Sequence, residues 1–212
     1  GSFYGLKENG LWQISDLEGL AELPKLYGNV VRPGDIRYID QNNDNDITDL
    51  DRVVIGKALP KFFGGWNNTL SFKQFDASVF FDYIYGNDIL NADRYHTLAP
   101  VRSNTNKIKE FKNYWTPENP SATVPRIDSN MGYYFSDGMW IEDGSYFRLR
   151  EVSVSYSLPS KVLSKMKSVE KMHVYFSATN LFTLTNYTGV NPYIDAGGGA
   201  PGIFNVDFGG YP

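Results

Sequence analysis

The chain has 212 residues, room for one domain or a little more, and 20 Lys+Arg against 24 Asp+Glu give it a formal charge of −4. That balance removes the basic footprint of a nucleic-acid binder. With no Cys, and with His96 and His173 as the two histidines, it excludes disulfides, iron–sulfur clusters, thiolate zinc sites, cysteine nucleophiles and multi-histidine metal centres. Aromatic residues make up 16 %, mostly Tyr and Phe, which favour strands. Apolar runs such as Val53-Val54-Ile55 fall far short of the ~18 residues of a transmembrane helix, although strands cross a bilayer with alternating residues and escape that test. Gly1-Ser2-Phe3-Tyr4-Gly5 has neither the basic head nor the apolar core of a signal peptide, so the leading Gly reads as an added residue and the natural start is expected upstream.

In chain order, Leu17-Glu18-Gly19-Leu20-Ala21-Glu22-Leu23 has roughly helical spacing and predicts one short helix before Pro24. Residues 29–39 read as an extended segment in which Ile36 and Tyr38 alternate with Arg37. The most polar stretch follows, over residues 40–51, with the spacing of a twelve-residue calcium loop. Oxygen side chains stand at positions one, three and five (Asp40, Asn42, Asp44), and Asp46 offers its carbonyl at seven. Thr48 supplies an oxygen at nine, directly or through water, and Asp51 a carboxylate at twelve. A hard cation needs six to eight converging oxygens, and this spacing wraps the chain around one point. Two features depart from the ideal: Asn45 stands where Gly is usual, and Asp51 replaces the longer Glu. Asn tolerates the left-handed backbone that position six requires, and the alternative is a solvated acidic turn.

Two alternating segments come next. Trp66, Leu70 and Phe72 share one face of 66–73, opposite Asn67, Thr69, Ser71 and Lys73. Phe75, Ala77, Val79, Phe81, Tyr83 and Tyr85 share one face of 75–85, opposite Asp76, Ser78 and Asp82. The short Lys73-Gln74 link predicts an antiparallel hairpin over 65–85. Its arms match the length of a tilted membrane-crossing strand, and Trp66, Tyr83 and Tyr85 suit an aromatic girdle; a soluble sandwich has the same alternation. Residues 86–141 then read as one long loop excursion with small elements of its own, in which Tyr114-Trp115-Thr116-Pro117 and Tyr133-Tyr134-Phe135 either stack on sugars or peptides or pin the loop to itself. Strand signals return over 146–158, where the apolar phase switches near Arg150-Glu151 and predicts a bulge. A helical turn follows over Pro159–Met166, then a strand with Met172, Val174, Phe176 and Ala178 on one face. Gly197-Gly198-Gly199 and Gly209-Gly210 mark the tail as loop.

Catalysis finds no support. Glu142-Asp143 reads as a turn, Asp76 and Asp82 read as solvated or lumen-facing, and neither histidine has a nucleophilic serine in an elbow context. The fold class is all-β, built of antiparallel strands and hairpins with long irregular loops and short helical turns.

The order of motifs is distinctive. Gly34-Asp35-Ile36-Arg37-Tyr38 leads into the acidic loop, then come Asp51-Arg52-Val53-Val54-Ile55-Gly56 and Pro60-Lys61-Phe62. After the hairpin follow Tyr85-Gly86-Asn87-Asp88-Ile89, Tyr114-Trp115-Thr116-Pro117-Glu118-Asn119-Pro120, Ile141 to Arg150, and Asn180-Leu181-Phe182-Thr183. Over nearly its whole length this series resembles the C-terminal quarter of SusC/RagA-type TonB-linked outer-membrane transporters. The resemblance implies a segment of a large plugged β-barrel that imports glycans or peptides across the outer membrane, with a SusD-like surface lipoprotein as lid and TonB as energy source. On this reading 1–212 is a C-terminal barrel fragment, 86–141 is an extracellular excursion, and the family's final strand would begin just beyond Tyr211-Pro212. Lacking plug and most of the barrel, such a fragment is not expected to transport alone. The alternative from the residues themselves is a soluble β-rich carbohydrate-binding module with a calcium-stabilised loop.

Overall fold

A computed structural model describes residues 1–98, 106–127, 138–165, 169–193 and 206–207, in two compact units. One comprises Gly1–Leu59, Asp88–Asp143 and Thr188–Pro212; the other comprises Pro60–Asn87 and Gly144–Tyr187. Within them, Tyr133-Tyr134-Phe135, Met166, Gly197-Gly198-Gly199 and Gly209-Gly210 lie outside the described residues.

The first unit is made of small pieces. Up to Leu59 its strands are β1 (Ser2–Gly5), β2 (Glu8–Leu11), β3 (Lys25–Leu26), β4 (Asn29–Val30), β5 (Ile36–Tyr38), β6 (Asp46–Ile47) and β7 (Val53–Lys57), with helix α1 (Ile14–Leu17) between β2 and β3. β1 pairs with β7 and β2 with β5, both antiparallel, while β3 lies between antiparallel β4 and parallel β6. Helix α1 begins and ends earlier than its leucine spacing predicts. Gln13 and Asp16 form a reciprocal capping box at its start, Glu18 is already extended, and Gly19 at φ +79° carries the chain away, so 18–23 is not helical. The extended reading of 29–39 holds for β4 and β5 alone, because Pro33-Gly34 turns the chain between them with Gly34 at φ +84°. Leu6, Leu26, Val31, Tyr38, Leu98 and Trp140 are among the buried residues of this unit's core.

The 86–141 excursion carries the small elements expected of it. After its first residues, strand Asp88–Asn91 and helix Ala92–Leu98 follow, and Ile141–Asp143 returns to pair with that strand. Glu142-Asp143 is therefore strand rather than turn.

The second unit is one antiparallel sheet of four long strands. We number them β8 (Phe62–Phe72), β9 (Phe75–Tyr85), then, counting Asp88–Asn91 and Ile141–Asp143 as β10 and β11, β12 (Tyr146–Ser157) and β13 (His173–Thr185). Their order is β13-β12-β9-β8. The predicted hairpin forms with Phe72 opposite Phe75, and Lys73 at φ +56° makes the two-residue turn. The predicted bulge is present as well: between Leu149 and Glu151 the register slips against β9, and the slip moves the apolar phase of β12 from odd to even numbers. Gly64 and Gly65 are the places where β8 makes room for rings. A Cβ on Gly64 would stand 2.8 Å from the Tyr83 hydroxyl, and one on Gly65 would stand 2.8 Å from the Phe80 ring.

Candidate functional site

The register of the four-stranded sheet sorts its side chains into two unlike faces. Trp66, Phe81, Leu149 and Phe182 stand opposite one another on four successive strands, as do Leu70, Ala77, Val154 and Phe176. Rings run across this face, with Trp66 stacked on Phe81 at 5.9 Å and Phe81 on Phe147 at 5.3 Å between centroids. Leu70 is 70 % exposed and Phe176 is 67 % exposed. No described residue covers this apolar surface to the degree a soluble core requires. Aromatic residues close both ends, Phe62 with Tyr85 at one and Phe75 with Tyr156 at the other.

The opposite face is mixed. Ser78 and Ser153 share a hydrogen bond of 2.8 Å, Ser71 donates to Asp76, and Ser157 meets His173 Nδ1 at 2.9 Å. In its midst lies Asp82, which the sequence reads as solvated or lumen-facing. Asp82 is buried and accepts a fork from Arg148, with Nε to Oδ1 at 2.9 Å and Nη2 to Oδ2 at 2.6 Å. Tyr146 donates weakly to the same carboxylate at 3.4 Å, and Arg150 reaches to 3.9 Å from the bulge. Strand alternation alone identifies Asp82 as facing the polar side; only the β9–β12 register brings Arg148 opposite it.

In the acidic loop the predicted residues are ordered by the backbone. Asp40 accepts from the N–H groups of Asn43 and Asn45, Asn42 from Asp44, and Asp44 from Asp46. Asn45 stands at φ +65°, the left-handed backbone expected at position six. Thr48 caps the short helical turn after the loop, and fully buried Asp51 ties the loop's ends together by accepting from Gln41 and Thr48 N–H. Asp46 turns outward to accept from Gly28. Asp40, Asn42, Asp44, Asp46 and Asp51 thus all accept backbone N–H groups with their side-chain oxygens, the first three within one turn. Among the described residues no three acidic or histidine side chains already converge as a metal cluster.

The aromatic stretch at 114–117 is settled on its structural side. Trp115 is buried against Gly34 and donates through Nε1 to Gln13 at 3.0 Å, so its face is not offered to a ligand. A network missed in the sequence joins the excursion to residue 188: Glu142 accepts from the Thr188 N–H and hydroxyl and from Asn91, while Arg94 pairs with Glu110 at 2.7 Å.

Comparison with known proteins supplies the context for these faces. No family model matches the chain. A TonB-dependent receptor of Formosa agariphila, P3, is 33 % identical over 218 aligned residues, covering 100 % of this chain and 21 % of the relative. The SusC receptor of Bacteroides thetaiotaomicron is 21 % identical over 82 % of the chain and 17 % of its own length. The RagAB peptide importer in its open-open state superposes with a TM-score of 0.71 at 25 % identity, covering 97 % of this chain and 20 % of that one. The chain belongs to the SusC/RagA-type TonB-dependent receptors.

It spans about a fifth of the length of these relatives. Such receptors are outer-membrane proteins. The soluble-module alternative loses its basis. The relatives carry the names of receptors and a peptide importer, not of enzymes.

Proposed function

We propose that this receptor segment is barrel wall plus outer loops of a TonB-energised importer, in which β8, β9, β12 and β13 cross the membrane and the mixed face lines the lumen. The carrying observation is the asymmetry of the sheet's two ends. All four chain crossings into the other unit leave from the end marked by Phe62, Tyr85, Tyr146 and Thr185, while the opposite end carries the two-residue turn at Lys73-Gln74 and the link over 158–172, which returns within the same unit. Outer-membrane barrels have short periplasmic turns and long extracellular loops, which supports an extracellular position for residues 86–141. Ten residue steps separate Phe62 from Phe72; at ~3.4 Å per residue and a tilt of ~45° they span about 24 Å of membrane, close to the ~25 Å apolar band of such barrels.

On this reading the cargo is a glycan or a peptide, TonB supplies the energy, and a SusD-like surface lipoprotein closes the outer mouth. Both β8 and β13 have a neighbour on one side only among the described residues, so the rest of the barrel is expected to pair with these edges. Deleting the gene of the full-length receptor and supplying glycans or peptides as sole carbon source tests the cargo. Affinity purification of the receptor from outer membranes tests the lipoprotein. Growth unaffected on every such source, with no lipoprotein recovered, would refute the reading.

We further propose that the acidic loop takes a calcium ion through Asp40, Asn42, Asp44, the Asp46 carbonyl, Thr48 and Asp51. The spacing and the left-handed Asn45 support it. Calorimetric titration of the receptor with calcium should release or absorb heat, and Asp40→Ala should abolish it; no heat in the unsubstituted protein reduces the loop to a self-capped turn.

A further inference from the structure

One end of the four-stranded sheet carries a group of lysines that answer to no carboxylate. Lys73 stands in the two-residue turn between β8 and β9. Lys161, Lys165 and Lys171 stand in the link between β12 and β13, where Glu170 is the one acid among the described residues. Backbone hydrogen bonds lace these segments side by side: the Ser157 N–H donates to the Gln74 carbonyl at 2.8 Å, and the Leu158 N–H to the Met172 carbonyl at 3.0 Å. Leu163 is buried at the end of the helical turn Ser160–Leu163, whereas all four lysines are exposed. None of the four makes an ion pair among the described residues, although Arg52, Arg94, Arg126 and Arg148 elsewhere in the chain each hold a carboxylate. In a chain of net charge −4 this is a local reversal of sign.

The same end is where the apolar face stops. Phe72, Phe75, Tyr156 and Val174 stand opposite one another as its last full row, and Leu158 and Met172 continue it, two residues beyond Tyr156 and two before Val174. Phe72, Phe75, Val174 and Met172 are exposed, as is Val162 beside Lys161. Lys73 holds its ammonium 5.1 Å from the centre of the Phe72 ring, so charge sits on the margin of the apolar surface. A soluble acidic partner would meet the lysines and leave the aromatic row in water. A bilayer surface meets both, with hydrocarbon on the rings and phosphates on the ammonium groups. Residue type points the same way, because lysine is a compact, strongly hydrated charge on a flexible stem. It attracts mobile phosphates without the rigid fork by which arginine grips a group fixed in a folded partner. We infer that Lys73, Lys161, Lys165 and Lys171 form a docking surface for anionic phospholipid headgroups of the periplasmic leaflet. The inference rests on the barrel-wall reading and on its placing of this end in the periplasm.

The experiment uses the full-length receptor in neutral detergent, with bound lipid counted by native mass spectrometry. Phosphatidylglycerol is titrated against phosphatidylcholine of the same chains, with inorganic phosphate as a soluble competitor and purified peptidoglycan as a polymer arm. Phosphatidylglycerol should be retained in preference. Lys161→Gln, Lys165→Gln and Lys171→Gln should each weaken it about fivefold, as should Lys73→Asn, since Asn accepts the φ of +56° in that turn. The four changes combined should abolish the preference, and Arg at all four positions should keep it. Lys61→Gln, beside Phe62 at the opposite end of the sheet, should leave it unchanged. The inference is overturned if the two lipids bind alike, if the combined variant keeps the preference, or if the Arg variant or Lys61→Gln loses it. It is equally overturned if phosphate alone displaces the lipid, or if peptidoglycan and not lipid is what the combined variant ceases to bind. Lys171→Cys should resist a membrane-impermeant maleimide on intact cells until the outer membrane is opened; labelling of intact cells puts this end outside and removes the proposal. A spin label on Val79→Cys separates the two readings. A label reached by oxygen in the hydrocarbon, with no lipid preference, leaves the barrel wall standing and removes the docking surface, whereas a label that meets only water fails the barrel wall itself.

Discussion

Replacing Asp82 by Ala should be among the most costly single changes in the four-stranded sheet. Arg148 would lose two charge-assisted bonds, of 2.9 and 2.6 Å, at a site where its side chain is 8 % exposed and that of Asp82 is 11 % exposed. Removing one partner of a buried pair costs about 3–5 kcal/mol, because the remaining charge has given up its water without its counter-ion. At 1.36 kcal/mol per decade, even the lower bound shifts the folding equilibrium by about two orders of magnitude. Arg150, at 3.9 Å and half exposed, is too distant and too well screened to replace Arg148, and Arg150→Ala should cost no more than about 1 kcal/mol. The decisive comparison is the double variant Asp82→Leu with Arg148→Met. It removes both charges while keeping volume, and buried pairs replaced in this way are often neutral or better. Urea unfolding of the receptor refolded in detergent micelles, followed by tryptophan emission, gives each value. If Asp82→Ala moves the midpoint by less than the equivalent of about 1 kcal/mol, the pair is bathed in lumen water and the reasoning fails. If the double variant is as unstable as Asp82→Ala, the cost lies in lost packing and not in an orphaned charge.

Membrane depth gives a second test, because on the barrel-wall reading Val79 would sit near the middle of the apolar band and Phe62 at its edge. Val79→Arg should cost about 2–4 kcal/mol and Phe62→Arg about 1 or less in refolding titrations, and equal costs would argue against a lipid-facing surface. Gly34→Ala adds a Cβ 2.4 Å from the buried Trp115 ring at φ +84°, so about 2 kcal/mol or more of thermal stability should be lost; an unchanged melting temperature would show that Trp115 moves freely. Burial, with the hydrogen bond to Asp49 adding to it, raises the Tyr27 phenol above its ordinary value. The folded state then holds the proton longer than the unfolded chain, so this stability is complete below about pH 10 and disappears as the pH climbs through the folded value. The urea midpoint of the unsubstituted protein should fall over that range, and Tyr27→Phe should flatten the dependence.

Much of the wall was open to reading from residue order alone. Side chains along a strand alternate with a period of two, so Trp66, Leu70 and Phe72 declare a face without reference to any neighbour. The change of phase at Arg150-Glu151 betrays a bulge for the same reason. The turn of the acidic loop was legible because it is local, held by hydrogen bonds between near neighbours and by what Asn45 tolerates at φ > 0. Pairings between distant residues left no such trace. β1 joins β7 across some fifty residues, and its short exposed strands show too little periodicity to announce themselves. Asp82 alternates like any lumen carboxylate until the register sets Arg148 beside it, and Trp115 looks like a ligand platform until Gly34 closes against its ring. Local backbone preference and alternation are written residue by residue, whereas the partner of a buried charge or a ring is chosen by chain segments that meet only in the folded protein.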